Sequence, residues 1–272
     1  MKAVRESELS VWLESDDVAS VSELSFLLLA LCQLPEEAGP RALCSKLAST
    51  LWSSIDAHGR ISTHKDPVDG LEAYQDYFPG QALLALATAH QSGITALMES
   101  KLDKAFKYYR HRYRYRRNFG QVSWLMQAFG KWWDATGNSR FADFVFEIGD
   151  WALQYQHEKT GAFINDHQSD TPGYTTALYL EGIAAGLRLA ALLGDEVRRQ
   201  RYLESLTRGF NFVDRLVIQE RDASLLPNAK FALGGLRQSL YASDIRVDFV
   251  QHSLSAILEA LASLELFRAK AT

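Results

Sequence analysis

Cysteine is scarce in this sequence. Cys32 and Cys44 stand alone, too few for a disulfide framework or a four-ligand zinc site, and both are read as reduced residues of helix interiors. Proline is scarce as well, six in 272 residues, which excludes low-complexity classes and leaves room for long helices. Neither sign of charge dominates: a net charge of −4 argues against nucleic-acid binding by bulk charge. The start, Met1 to Glu8, lacks an apolar leader core, and no run approaches the length of a membrane span, so a cytoplasmic protein is expected. Catalytic signatures are missing too. No Gly-x-Ser-x-Gly elbow occurs, and Gly234-Gly235 lacks the Lys-Ser/Thr end of a phosphate loop.

Helical periodicity is abundant. Apolar residues recur at three- and four-residue spacing through 21–34, 42–55, 81–89, 98–109, 122–133, 141–155, 177–193, 197–216 and 250–267, while strand alternation is almost absent. Gly93, Gly137 and Gly194 each follow an apolar stretch and supply the left-handed residue that closes a helix. A chain of this length buries roughly three-quarters of its unfolded surface, enough for a large core. The segments pair as hairpins of two compositions. Those around Gln81–Ala87, Gly182–Leu187 and Leu254–Ala260 are small-residue-rich and apolar all round, as buried helices are, whereas 195–216 has a solvated face and belongs outside. The connections at the glycine step are short. Those at the other step, 56–76, 158–173 and 217–247, are long and rich in His, Asp, Arg and Tyr, which assigns the chemistry to one rim. An internal echo, Gly59-Arg60-Ile61 and Gly161-Ala162-Phe163, predicts two short extended turns.

The stretch Tyr77-Phe78-Pro79-Gly80-Gln81-Ala82-Leu83-Leu84-Ala85-Leu86, the turn Thr136-Gly137-Asn138 with Phe141-Ala142-Asp143, and Gly161-Ala162-Phe163 resemble the six-hairpin (α/α) toroids of carbohydrate-active enzymes. That resemblance implies a single all-α domain over residues 1–272, an inner ring of helices sheathed by an outer ring, and a sugar site at the N-terminal rim of the inner helices. Members include glycoside hydrolases, uronyl hydrolases and sugar epimerases. The chain shows fewer helices than six hairpins require, so the ring is incomplete or is closed by a partner domain or a second subunit.

On that rim, His167 beside Asp166 and His252 beside Asp248 are the candidate acid–base groups, because a nearby carboxylate orients an imidazole and sets its tautomer. Tyr77, Gln81, Trp124, Gln127, Tyr174, Glu181, Arg237, Asp244 and Arg246 supply the flat faces and polar groups that a sugar needs. Arg237 and Arg246 favour an anionic sugar. The basic run from Lys104 to Arg117 invites a nucleic-acid reading. It is better explained as the C-terminus of an outer helix, with cations at the negative end of the dipole and tyrosines packed inward. Leu225, Leu226, Phe231, Leu233 and Leu236 call for burial, so 217–247 is expected to fill the ring more than to cover it. The sequence calls for no metal, cofactor or membrane. The competing reading is a non-catalytic helical module that binds a glycan, a peptide or a partner subunit.

Overall fold

The computed structural model describes residues 4–6, 11–13, 19–35, 40–66, 68, 70–164 and 171–271. It is mostly helical, with two small antiparallel hairpins, and divides into two compact units, Met1–Phe144 and Val145–Thr272.

In the first unit β1 (Val4–Glu6) pairs with β2 (Val11–Leu13), ahead of α1 (Val21–Leu31) and α2 (Arg41–Ser53). A capping box starts α1: Ser20 Oγ accepts from the Glu23 amide while the Glu23 carboxylate accepts from the Ser20 amide. The short α3 (Leu71–Tyr74) leads into α4 (Phe78–Gln91), α5 (Glu99–Tyr115) and α6 (Gly120–Thr136). Helix α7 (Ser139–Ala152) runs across the division between the units. Every residue of α4 from Pro79 to Ala89 is buried, as its small-residue composition requires. Helices α4 and α6 run parallel, with Gly80 against Trp124 at one level and the Leu83 carbonyl accepting from Trp132 Nε1 further along. A Cβ on Gly80 would lie 2.5 Å from that of Trp124, so glycine sets how closely the two helices approach. On the outer side, Phe106 of α5 packs edge-on against Phe129, Phe141 and Phe144.

The second unit holds α8 (Thr175–Leu193), α9 (Glu196–Asp214), α10 (Glu220–Ala223), α11 (Ala229–Ala232), β3 (Arg237–Ser239), β4 (Ala242–Ile245) and α12 (Val247–Ala271). Helices α8 and α9 form a hairpin through Gly194, after which Asp195 caps α9 by accepting from the Arg198 amide. Helices α8 and α12 run parallel, paired at Glu181 with His252 and again at Arg188 with Glu259. The expectation that no run is long enough to span a membrane needs correcting. Helix α8 has the length and apolarity to do so, but 83% of that stretch is buried, which marks it as the core helix of its unit.

The echo appears in both units as a small bridged turn, Ile55 with Ile61 and Gln156 with Phe163. Segment 217–247 is not structureless. It contains α10, α11 and the β3–β4 hairpin, with the strand turn at Ser239–Ala242. Burial within it is uneven: Leu236 is buried and Leu226 packs on the Ile218 cluster, whereas Leu225 and Phe231 are 84% and 86% exposed. The filling role therefore rests on few of its apolar residues.

Candidate functional site

The two long segments of the second unit meet. Gly173 bridges Ser239, and the Tyr174 amide donates to the Gln238 carbonyl at 2.9 Å. A Cβ on Gly173 would sit 2.2 Å from that carbonyl, so only glycine lets the strands close here. The contact holds the N-terminus of α8 beside that of α12, where Tyr174 stacks on Phe249 with ring centroids 3.8 Å apart. Burial, with the Asp248 charge as a smaller cause, raises the Tyr174 phenol above its ordinary value. Arg246 donates through Nε and Nη2 to the two oxygens of Asp248, at 2.9 and 3.0 Å, and lies over the Phe249 ring.

Beneath this cluster, Glu181 Oε2 is 2.7 Å from His252 Nδ1, and both side chains are buried. Gln251 Nε2 donates to the other Glu181 oxygen at 3.4 Å. A carboxylate accepts, so the pair makes Nδ1 the protonated ring nitrogen. The carboxylate on His252 is thus Glu181, 71 residues away, rather than Asp248, which Arg246 engages. Asp244 is exposed on β4. Arg237 is tied into the fold: its guanidinium donates to the Arg215 carbonyl at 2.9 Å and lies 3.7 Å from Asp222. His167 and Asp166 lie outside the described residues.

In the first unit, segment 56–76 builds a second polar centre at the N-terminal ends of α4 and α6. Asp76, 5% exposed, accepts from Arg112 Nη2 at 2.8 Å and from Gln121 Nε2 at 3.0 Å. Arg112 also reaches Glu72, and its hydrogen bond holds that carboxyl below the usual range. The Tyr109 hydroxyl donates to Gln75 Oε1 at 2.8 Å and accepts from the Ile61 amide, and burial drives its pKa far up, so it stays neutral. Of the substrate-binding candidates in this unit, Tyr77 packs on Gly120 and Trp124 is buried edge-on to Phe26. Gln127 donates within its own helix to Ser123, while the buried Gln81 Oε1 has no hydrogen-bond partner among the described residues. A cavity of about 220 Å³ opens beside this centre, lined by Arg60, His64, Asp66 and Gln75. A larger one, about 560 Å³, lies at the other end of the unit, between the start of α5 and the Gly137 turn, with Asp103, Asn138 and Arg140 in its wall.

Sequence reasoning assigned segment 56–76 to the rim but missed Arg112 and Tyr109, which join it there. The two lie about one helical turn apart, a usable signal, but six further Lys or Arg residues in the same run obscure which cation turns inward. Among the described residues, no group of three or more His, Cys, Asp or Glu side chains is placed to hold a metal ion. No family model matches the chain, and neither a curated protein nor a solved structure matches it.

Proposed function

We propose that the second unit carries the acid–base site of a carbohydrate-active enzyme, of epimerase or hydrolase type, acting on an anionic sugar. The observation behind this is the buried Glu181–His252 pair at the N-terminal ends of two parallel helices. A carboxylate that fixes the tautomer of an imidazole is the arrangement a general base needs. The half-buried Tyr174 ring, backed by Phe249, offers an aromatic face for a sugar ring, and Arg246 offers a guanidinium for a carboxylate or phosphate that displaces Asp248. Parallel small-residue helices sheathed by hairpin partners in both units support the (α/α)-toroid reading of the scaffold.

The experiment is solvent-deuterium exchange into uronic acids and sugar phosphates, with hydrolysis of uronate glycosides followed in parallel. His252→Asn is expected to lower the rate by about 100- to 10,000-fold, the range for removing a general base. Glu181→Gln should shift the pH profile as well as lower the rate, since it changes what the imidazole is bonded to. Full activity in both variants, or no turnover of any anionic sugar by the native chain, would sink the proposal. The exposed apolar face of α12 favours a second reading, a module that associates with a partner.

A further inference from the structure

Helix α5 turns two faces of different chemistry. Inward, Leu102, Ala105, Phe106, Tyr109 and Tyr113 are buried. Outward, Lys104, Lys107, Tyr108, His111, Arg114 and Tyr115 share about a third of the helix circumference, and all but the half-buried Tyr108 are exposed. Arg116 and Arg117, also exposed, carry that face past the helix end. The run from Lys104 to Arg117 holds seven Lys or Arg and no acid. Packing and the helix dipole account for part of it. Tyr109 and Tyr113 belong to the core, Arg112 turns in to Glu72 and Asp76, and Arg114 stands in the last turn, where the negative end of the helix favours a cation. Neither cause reaches Lys104 and Lys107, which lie roughly three and two turns before that end. Nor does either explain Tyr115, which is 88% exposed. Lys107 is paired with Asp103, but it stands one turn from Lys104 on the same stripe, where like charges repel.

We propose that this face binds single-stranded nucleic acid. A phosphodiester chain brings a negative charge and a flat ring at every repeat of a flexible backbone, and cations interleaved with exposed tyrosine are the surface that takes both. Lys104 and Lys107 meet phosphates at one end and Arg116 and Arg117 at the other, while Tyr115, between Arg114 and Arg116, stacks a base. From Lys104 to Tyr115 the helix rises about 16 Å, a span of a few nucleotides. A duplex fits less well, because its bases are stacked on one another and out of reach of Tyr115. An anionic bilayer fits less well too. It needs apolar side chains beside the cations, and no outward position of α5 from Lys104 to Tyr115 carries an aliphatic one. The net charge of −4 over the whole chain does not oppose this, since salt limits each charge to a neighbourhood of about 8–10 Å. The assignment is independent of catalysis at His252.

The test is fluorescence anisotropy of a labelled oligouridine of about 12 nucleotides, titrated with the full chain from about 20 to 300 mM salt. Micromolar binding is expected at low salt, with a log–log salt slope of about −2 to −3, the value for three or four phosphates of a single strand. Lys104→Glu, and Arg116→Glu combined with Arg117→Glu, should each weaken binding at least fivefold and make the slope shallower, with helix content and Tm retained because these side chains face solvent. Tyr115→Ala should weaken it by about fivefold or more and leave the slope unchanged, since it removes a stacked base and no charge. Inorganic polyphosphate, which has the charge without the bases, should bind the native and Tyr115→Ala proteins alike. No binding up to about 100 µM protein at low salt, tighter binding of polygalacturonate or of phosphatidylserine vesicles than of oligouridine, or a Tyr115→Ala protein that binds as the native chain does would each overturn the proposal. His252→Asn should bind oligouridine as the native chain does, so failure of the sugar site and failure of this face are separable.

Discussion

Replacing Gly161 by alanine should destabilise the second unit by about 2–5 kcal/mol, a figure built from two separate costs. Gly161 has φ +77°, in the left-handed region, where a side chain costs about 1–2 kcal/mol. The added Cβ would also fall 2.0 Å from the Arg208 carbonyl oxygen and 2.5 Å from its carbon. That is backbone in the middle of α9, so no rotamer change relieves the overlap, and forcing a methyl into a packed site costs about 1–3 kcal/mol. Gly194→Ala isolates the first cost, because its φ is +71° and nothing lies within 4 Å of the new Cβ. Urea unfolding of the two variants should therefore differ by about 1–3 kcal/mol, with Gly161→Ala the weaker. Gly59→Ala is expected to behave like Gly161→Ala, since its Cβ would lie 2.2 Å from the Lys104 carbonyl group of α5. Equal losses at Gly161 and Gly194 would refute the claim that the turn rests on the helix backbone.

Asp76→Ala leaves the Arg112 guanidinium short of its buried partner and should cost about 3 kcal/mol in chemical denaturation, whereas Asp76→Asn, which still accepts hydrogen bonds, should cost less. Hydrogen bonds from the Arg198 amide and guanidinium hold the Asp195 carboxyl below its ordinary 3.8. Its contribution is therefore complete above that value and lost as pH falls through the lower folded one, and Asp195→Ala should flatten that acid limb in a pH series of urea midpoints. Arg246→Ala should weaken uronate binding in a salt-dependent way with Tm unchanged, while Arg237→Ala should lower Tm, because only Arg237 is bonded to backbone of its unit.

The helices were legible because their cause is local. Apolar spacing and the glycines at 137 and 194 lie in one stretch of chain, and α6, α8 and α9 end or begin within two or three residues of the expected places. The extended turns at Gly59 and Gly161 were legible through their repetition. The site was less so, since its partners are chosen by packing. Nothing near His252 in the sequence points to Glu181, and the local candidate, Asp248, is engaged by an arginine two residues before it. The β3–β4 hairpin escaped notice because strands of three and four residues are too short to show alternation. Leu225 and Phe231 were expected inside on hydropathy alone, which does not specify whether the surrounding chain folds over them.

The depth at which α8 is held has a consequence for synthesis. Leu193 leaves the ribosome about 80 residues before Ala271, and at roughly 5–20 residues per second that is an interval of about 4–16 s. Throughout it, a nineteen-residue helix of membrane-grade apolarity lacks the helix that covers one of its sides. A nascent chain in that state presents what chaperones and membrane-insertion machinery bind. Completion of that unit's core therefore waits on the arrival of α12.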